Sequence, residues 1–315
     1  MNEQESRAFS FFLKNGFIKA DKESFPVFRK YESCSVLEEM SATIVAAWSF
    51  AYNGLYKLIH GWLCSVYFYE GKPVYFAIHR PLSLSEYSLQ RIVDILYDLC
   101  MEAGLPFLQV KFIEERRLCE FEAIKGYEIK TEFFDSDTEY AYRPSDFLNL
   151  SGNVNMSKRH RIKKCSLIEK MTLFPVTNDN IHLCSVIQTE WCGAKECSFC
   201  ESFSGCEKEA LNIMMDIFDD RIYNGLYLYY ENKAIGYAIG ERRDQNISFL
   251  YFGKTTIQNY FVYLIYKMVE LYFSDAVYFN MSEDMGNAGL RLFKTHLGKY
   301  IAWRKYICTF IKKRL

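Results

Sequence analysis

Apolar and polar positions along the chain repeat in a recognisable order. Residues 64–80 (CSVYFYEGKPVYFAIHR) and 225–241 (GLYLYYENKAIGYAIGE) are apolar-rich runs, each broken by a short polar turn, Glu70-Gly71-Lys72 and Glu231-Asn232-Lys233. Runs of this length around a polar turn predict β-hairpins. At an offset of 161, Tyr69/Tyr230, Glu70/Glu231, Lys72/Lys233, Ala77/Ala238 and Ile78/Ile239 coincide. A helix is then expected from about Ser85 to Ala103, because Leu89, Ile92, Val93, Leu96 and Cys100 recur at helical spacing with Glu86, Arg91, Asp94 and Asp98 off that face. Ser83 with Glu86 fits a capping box, and Gly104 with Pro106 ends the helix. In the second half Phe261, Leu264, Ile265 and Met268 mark one helical face and Asn259, Lys267 and Glu270 the other.

A strand is expected after each helix, Phe107 to Phe112 and Ala276 to Asn280. A short helix follows, in which Leu118-x2-Phe121-x4-Gly126 matches Leu290-x2-Phe293-x4-Gly298 at an offset of 172. Hairpin, helix, strand, helix, strand thus occurs twice. We expect an α/β (α+β) chain of two domains, 1–145 and 146–315, each a mixed sheet flanked by helices. The order resembles the GNAT acyltransferase fold, and two tandem GNAT-like domains are what the resemblance implies. In that fold a mixed sheet splays open near its middle strands and a ligand sits in the gap. The usual acyl-coenzyme A site has a Gly-rich turn whose N–H groups hold pyrophosphate at a helix start. Here the corresponding stretch, Gly253-Lys254-Thr255-Thr256-Ile257-Gln258-Asn259, has one glycine.

The 315 residues suit two domains. The 26 Phe and 24 Tyr favour sheet. A net charge of −1 gives the whole molecule no general pull on nucleic acid or anionic lipid, so any such attraction must be local. The longest apolar stretch, near Phe261 to Phe273, carries Lys267 and Glu270 and is too short to span a bilayer. The first residues lack a signal-peptide pattern, so a cytoplasmic location is expected, with a peripheral place at the inner membrane surface as an extension. The motifs of common hydrolases, NTPases and zinc proteases do not occur.

Three segments carry candidate chemistry. Lys158-Arg159-His160-Arg161-Ile162-Lys163-Lys164 puts five Lys/Arg in seven residues, able to neutralise phosphates of tRNA, a lipid headgroup or a nucleotide, or simply to form a solvated helix start. In residues 280–294, from Asn280 to Lys294, a strand leads into a Gly-containing turn and a helix. Glu283 and Asp284 precede that helix, and Arg291 and Lys294 share a face of it, an arrangement that also suits an ordinary capped helix. Cys192-x4-Cys197-x2-Cys200-x5-Cys206 could suit zinc or an iron–sulfur cluster, but a zinc ribbon needs a second close pair, and loop and core thiols are the expected reading, with no metal. Lys312-Lys313-Arg314 could add about 1 kcal/mol per charge at an anionic membrane surface.

Leu150-Ser151-Gly152 with Lys158-Arg159-His160, Glu190-Trp191-Cys192, Lys254, and Asn280-x2-Glu283-Asp284-x-Gly286-x2-Gly289-Leu290-Arg291-x2-Lys294 together resemble the phosphatidylglycerol lysyltransferase C-terminal domain family, in its stand-alone bacterial members. The resemblance runs from about Phe17 to Tyr306, and its last motif is the most specific. It implies transfer of an aminoacyl group from aminoacyl-tRNA to a hydroxyl or amine, with phosphatidylglycerol as the lysyltransferases' acceptor and no bound cofactor. It further implies that Asp284, with Glu283 beside it, orients or deprotonates the nucleophile. Lys254, Arg291 and Lys294 would bind phosphate or stabilise an oxyanion, Lys158 and Arg159 would hold the tRNA end or a lipid phosphate, and Asn280, Gly286 and Gly289 would shape the substrate site. The chain departs from the family at Met281-Ser282, where an Arg-Glu pair is usual, at His160 in place of Asn, and at Gly253 in place of an acidic residue. A coenzyme A-dependent N-acetyltransferase and a tRNA- or lipid-binding module without turnover are the alternative readings.

Overall fold

The computed structural model describes residues 2–69, 72–150, 155–168, 170–194, 206–244, 246–257 and 260–313. Two compact units divide the chain, Met1–Asp135 with Trp303–Leu315, and Ser136–Ala302.

The first unit runs α1 (Glu3–Lys14), β1 (Ile18–Lys19), α2 (Phe25–Tyr31), α3 (Ala42–Ala47), α4 (Ser49–Tyr52), β2 (Leu55–Ile59), β3 (Trp62–Tyr67), β4 (Tyr75–His79), α5 (Leu89–Glu102), β5 (Leu108–Glu114), α6 (Leu118–Glu122) and β6 (Tyr127–Phe133). The second runs β7 (Glu139–Tyr142), α7 (Pro144–Asn149), α8 (Met156–Ser166), β8 (Met171–Pro175), α9 (Leu183–Ala194), α10 (Glu207–Asp216), β9 (Tyr223–Tyr230), β10 (Lys233–Arg242), β11 (Ile247–Thr255), α11 (Phe261–Met268), β12 (Tyr278–Asn280), α12 (Ala288–Leu297) and β13 (Tyr300–Trp303). The last strand, β14 (Lys305–Lys312), returns to the first unit.

The two sheets have one plan. Their orders are β1-β2-β3-β4-β5-β14-β6 and β8-β9-β10-β11-β12-β7-β13. Each has a parallel pair at its centre, β4 with β5 and β11 with β12. The two units exchange strands: β7 follows the first unit in sequence but pairs with β12, while β14 follows the second and pairs between β5 and β6. The expected division at 145/146 lacks this exchange, because hydrogen bonding along non-local ladders decides which sheet a terminal strand joins.

The repeat is present, with one correction to its register. Leu89 and Phe261, which open α5 and α11, are 172 apart, and the same shift carries β3 onto β10 and β4 onto β11. The hairpin match at 161 therefore pairs β3 and β4 with β9 and β10, one strand out of step. Adjacent antiparallel strands share the same apolar alternation, so a slip by one strand keeps the pattern. Glu70 and Gly71 of the first turn lie outside the described residues. Helix α5 starts later than Ser83/Glu86 implies: Ser88 is its cap, accepting from the Arg91 N–H.

Both cores follow the expected faces. Ile92, Val93 and Leu96 of α5 are buried with Phe12 of α1 and Phe76 and Val110 of the sheet. Leu264, Ile265 and Met268 of α11 are buried against Leu226, Leu228 and Ala238. Among the described residues no helix is long and apolar enough to cross a membrane.

Candidate functional site

In the second unit β11 and β12 are in register over only three pairs, Ile247↔Tyr278, Ser248↔Phe279 and Phe249↔Asn280. Beyond them β11 runs on to Thr255, while β12 gives way to the turn 281–287. This is the splay expected of the fold, and most of the candidate residues lie along its two arms.

The turn is held from several sides. Ser282, Met285 and Gly286 have φ of 66°, 50° and 76°, a left-handed conformation that costs a non-glycine residue energy and persists only where its surroundings impose it. Buried Asn280 accepts from the Ser282 N–H at 2.8 Å and donates to Glu139. Buried Lys294, from α12, donates to the carbonyls of Met281 and Glu283, at 2.5 Å each. Asp284 is wholly buried; it accepts from Arg291 Nε and Nη2 at 2.8 and 3.0 Å, from the Tyr140 hydroxyl at 2.7 Å and from the Gly286 N–H at 2.8 Å. Burial works against its charge, but Arg291, Tyr140 and the Gly286 N–H outweigh it, and the carboxyl is held below its usual range. Burial and the Asp284 carboxylate together push the Tyr140 phenol up to about 12. A carboxylate so saturated is a weak base and a strong brace. The start of α12 is capped from within, since Asn287 accepts from the Leu290 N–H at 2.9 Å and a side chain at Gly289 would crowd that cap.

Lys254 forms a second group. Tyr227, Tyr237 and Lys254 lie in register on β9, β10 and β11. Tyr237 donates to Gln188 of α9 at 2.6 Å, and Tyr227 donates to the Asn180 carbonyl at 2.7 Å with the Cys184 sulfur 3.1 Å away. Burial raises both phenols, so they are neutral donors. The row ends at Lys254, whose Nζ lies 2.7 Å from Glu207 of α10 and 5.0 Å from the centre of the Trp191 ring. Trp191 belongs to the Glu190-Trp191-Cys192 stretch of the sequence, which gives that stretch a physical role. Glu207, Gln188, Tyr237 and Tyr140 were not legible as site residues: each needs a contact across the sheet, and only the aromatic richness of the strands hinted at them.

Gly253 also has a local reason. A Cβ there would lie 2.8 Å from the Phe261 ring, which stacks on Phe293 at 5.9 Å. An acidic side chain at this position would meet that ring pair. Gly253 lies inside β11 and not at the start of α11, whose preceding residue, Tyr260, makes no side-chain cap. Gln258 and Asn259 lie outside the described residues.

Lys158 and Arg159 form a third group on α8. Lys158 donates to Asn155 at 2.8 Å, and burial lowers its pKa; Arg159 donates to the Leu150 carbonyl. Ile162 and Cys165 turn this helix onto the core while its cations remain outside. Among the described residues no group of three or more His, Cys, Asp or Glu is placed to hold a metal. Cys197 and Cys200 lie outside the described residues, as do Ser151 and Gly152; Cys192 and Cys206 are partly buried.

Residues 49–302 match the family model described as phosphatidylglycerol lysyltransferase, C-terminal. A search of the curated proteins finds no match. Among solved structures, the chain is similar to a conserved protein of unknown function from Bacteroides thetaiotaomicron, with 18% identity, a TM-score of 0.82 and coverage of 94% of this chain and 99% of that one. It is similar to L-PGS from Bacillus licheniformis, with 13% identity, a TM-score of 0.61 and coverage of 95% and 94%. It is similar to FemX, with 10% identity, a TM-score of 0.58 and coverage of 91% and 95%. At these identities the likeness is one of fold.

Proposed function

The chain belongs to the phosphatidylglycerol lysyltransferase C-terminal family, and from that premise we propose that it transfers an aminoacyl group from aminoacyl-tRNA to a lipid hydroxyl. Family and fold support acyl transfer in general; the donor and acceptor are this proposal's own. In the reaction the acceptor oxygen attacks the ester carbonyl of the aminoacyl-tRNA. A new ester bond forms, the bond to the tRNA ribose breaks, and the acceptor's proton ends on the ribose oxygen.

The observation that carries the reading is Lys254. It is a largely buried ammonium, with 18% of its side chain exposed, on the diverging arm of β11, held by Glu207 and Trp191. A cation fixed in advance beside a gap can stabilise the oxyanion of a tetrahedral intermediate, or a phosphate, without reorganising. Across the splay, Asp284 and Arg291 act as the brace of the turn that shapes the substrate site, and with its carboxylate saturated Asp284 orients and does not deprotonate. Lys158 and Arg159 supply phosphate contacts for the tRNA end.

The test mixes purified protein with tRNA charged with labelled amino acids and bacterial lipids, and follows label into the organic phase. Label there is the expected result and permits each amino acid to be tested singly. No label, beside a working lysyltransferase control, would contradict lipid aminoacylation and leave another acceptor or a binding role. Gly253 inside a strand with Phe261 packed on it speaks against the coenzyme A reading.

A further inference from the structure

The end of the chain is charged unlike the rest of it. Residues 285–315 hold eight Lys/Arg and no Asp or Glu. The 284 residues before them hold the other 30 Lys/Arg and all 39 Asp/Glu, a net charge of −9. Such asymmetry suits contact with an anionic partner. Within the second unit this segment opens with Met285, in the turn, and helix α12. Phe293, Lys294 and Leu297 turn the helix inward. Ala288, Gly289, Leu292 and His296 lie on its outer face, all exposed, and Lys299 just beyond its end is exposed too.

Two side chains here are poorly suited to a surface that meets only water. Leu292 is 58% exposed and Met285 50%. Met285 also holds a left-handed φ of 50°, a conformation that glycine, as at Gly286 beside it, takes without strain. A turn with a structural task alone would place glycine there; a methionine held strained and outward points to a use for its side chain. The ten residues of α12 span about 15 Å, and their apolar strip falls far short of the roughly 800 Å² per partner of a stable protein complex. A bilayer needs no matching cavity. It takes Met and Leu from a helix lying in its interface, with the cations at the headgroups. Nucleic acid would answer the charge but leave both apolar side chains without a partner.

We propose that α12 with Met285 is the face by which the second unit docks on an anionic membrane surface, a proposal that rests on the lipid acceptor put forward above. Met285 and Leu292 enter the interface, and Lys299 meets lipid phosphates. Met285 shares its turn with Asp284, so a membrane seated there lies next to the site and the acceptor lipid need not leave the bilayer.

The experiment is flotation of the whole chain with vesicles of mixed phosphatidylglycerol and phosphatidylcholine, and with phosphatidylcholine alone. The wild type should bind the mixed vesicles more tightly, and less so as salt rises. Leu292→Ser and Met285→Gly should each weaken binding about tenfold, the effect of withdrawing one apolar side chain from the interface. Glycine relieves the strain at position 285, so that variant should keep its fold. Lys299→Glu should remove about tenfold or more of the preference for phosphatidylglycerol. No binding by the wild type would overturn the docking face, and transfer to a short-chain, water-soluble phosphatidylglycerol would then leave the proposed function standing. Binding that all three variants leave undiminished would overturn it as well. If Leu292→Ser and Lys299→Glu weaken binding to tRNA and not to vesicles, the face belongs to nucleic acid and the membrane role falls. Vesicle binding with the expected losses, but no transfer to either acceptor, would uphold the docking face and count against aminoacylation.

Discussion

Arg291 and Arg117 each stand near the helix that follows the parallel central strand of their unit, and each presents the same edge of its guanidinium. In the second unit that edge closes on Asp284, and the turn from Ser282 to Gly286 is pinned in a strained form around it. In the first unit the edge meets Glu120 only at 3.6 Å, although the side chain is buried. Two copies of one plan have therefore put the same chemical group to different uses, a close bidentate brace in one and a looser, shared ion pair with Glu120 in the other. The difference lies in the carboxylate each edge meets: Asp284 is buried and gives both oxygens to Arg291, whereas Glu120 is one-third exposed and shared with Arg80.

Arg291→Ala should have the largest effect on stability. It leaves the buried Asp284 carboxylate with two donors in place of four, a loss measurable by denaturant unfolding. Arg117→Met removes a buried charge without stranding a close partner and should be near neutral or stabilising. Equal losses from the two variants would break the contrast.

Acid should act next. The folded pKa of Asp284 is depressed, so its contribution is fully present above the unfolded value of about 3.9 and is lost as pH falls through the lower folded value. Unfolding between pH 2 and 5 should show a steeper acid loss for the wild type than for Asp284→Asn, and parallel curves would count against the brace. A smaller loss at the brace belongs to Tyr140→Phe, which deletes one hydrogen bond to the carboxylate and should cost roughly 1.5 kcal/mol in the same unfolding measurement, clearly less than Arg291→Ala. A loss as large as that of Arg291→Ala would move the centre of the brace to Tyr140.

Much of this plan was legible in the sequence, and the limits have physical causes. Helical periodicity located α5 and α11, and the Leu-x2-Phe-x4-Gly pair gave the true shift of 172 between the units. The hairpin match was one strand out because neighbouring antiparallel strands alternate alike. The exchange of β7 and β14 left no local trace, since Glu139–Tyr142 and Lys305–Lys312 are apolar-rich strands that suit either sheet. At the site, the Asn280–Lys294 motif identified residues that do meet, but spacing could not tell a base from a brace; that depends on how many donors surround Asp284. Arg117 was invisible for the opposite reason: in Glu115-Arg116-Arg117 it reads as one of several solvated charges, and only the fold buries it.

Transfer at the splay of the second unit, as proposed, depends on Lys254. The most direct measurement is the rate at which label passes from charged tRNA to lipid for the wild type and for Lys254→Ala, at matched melting temperature. A loss of roughly a hundredfold or more is expected if the ammonium stabilises the reacting ester. Transfer at the wild-type rate by a folded Lys254→Ala protein would rule out this site as the place of transfer.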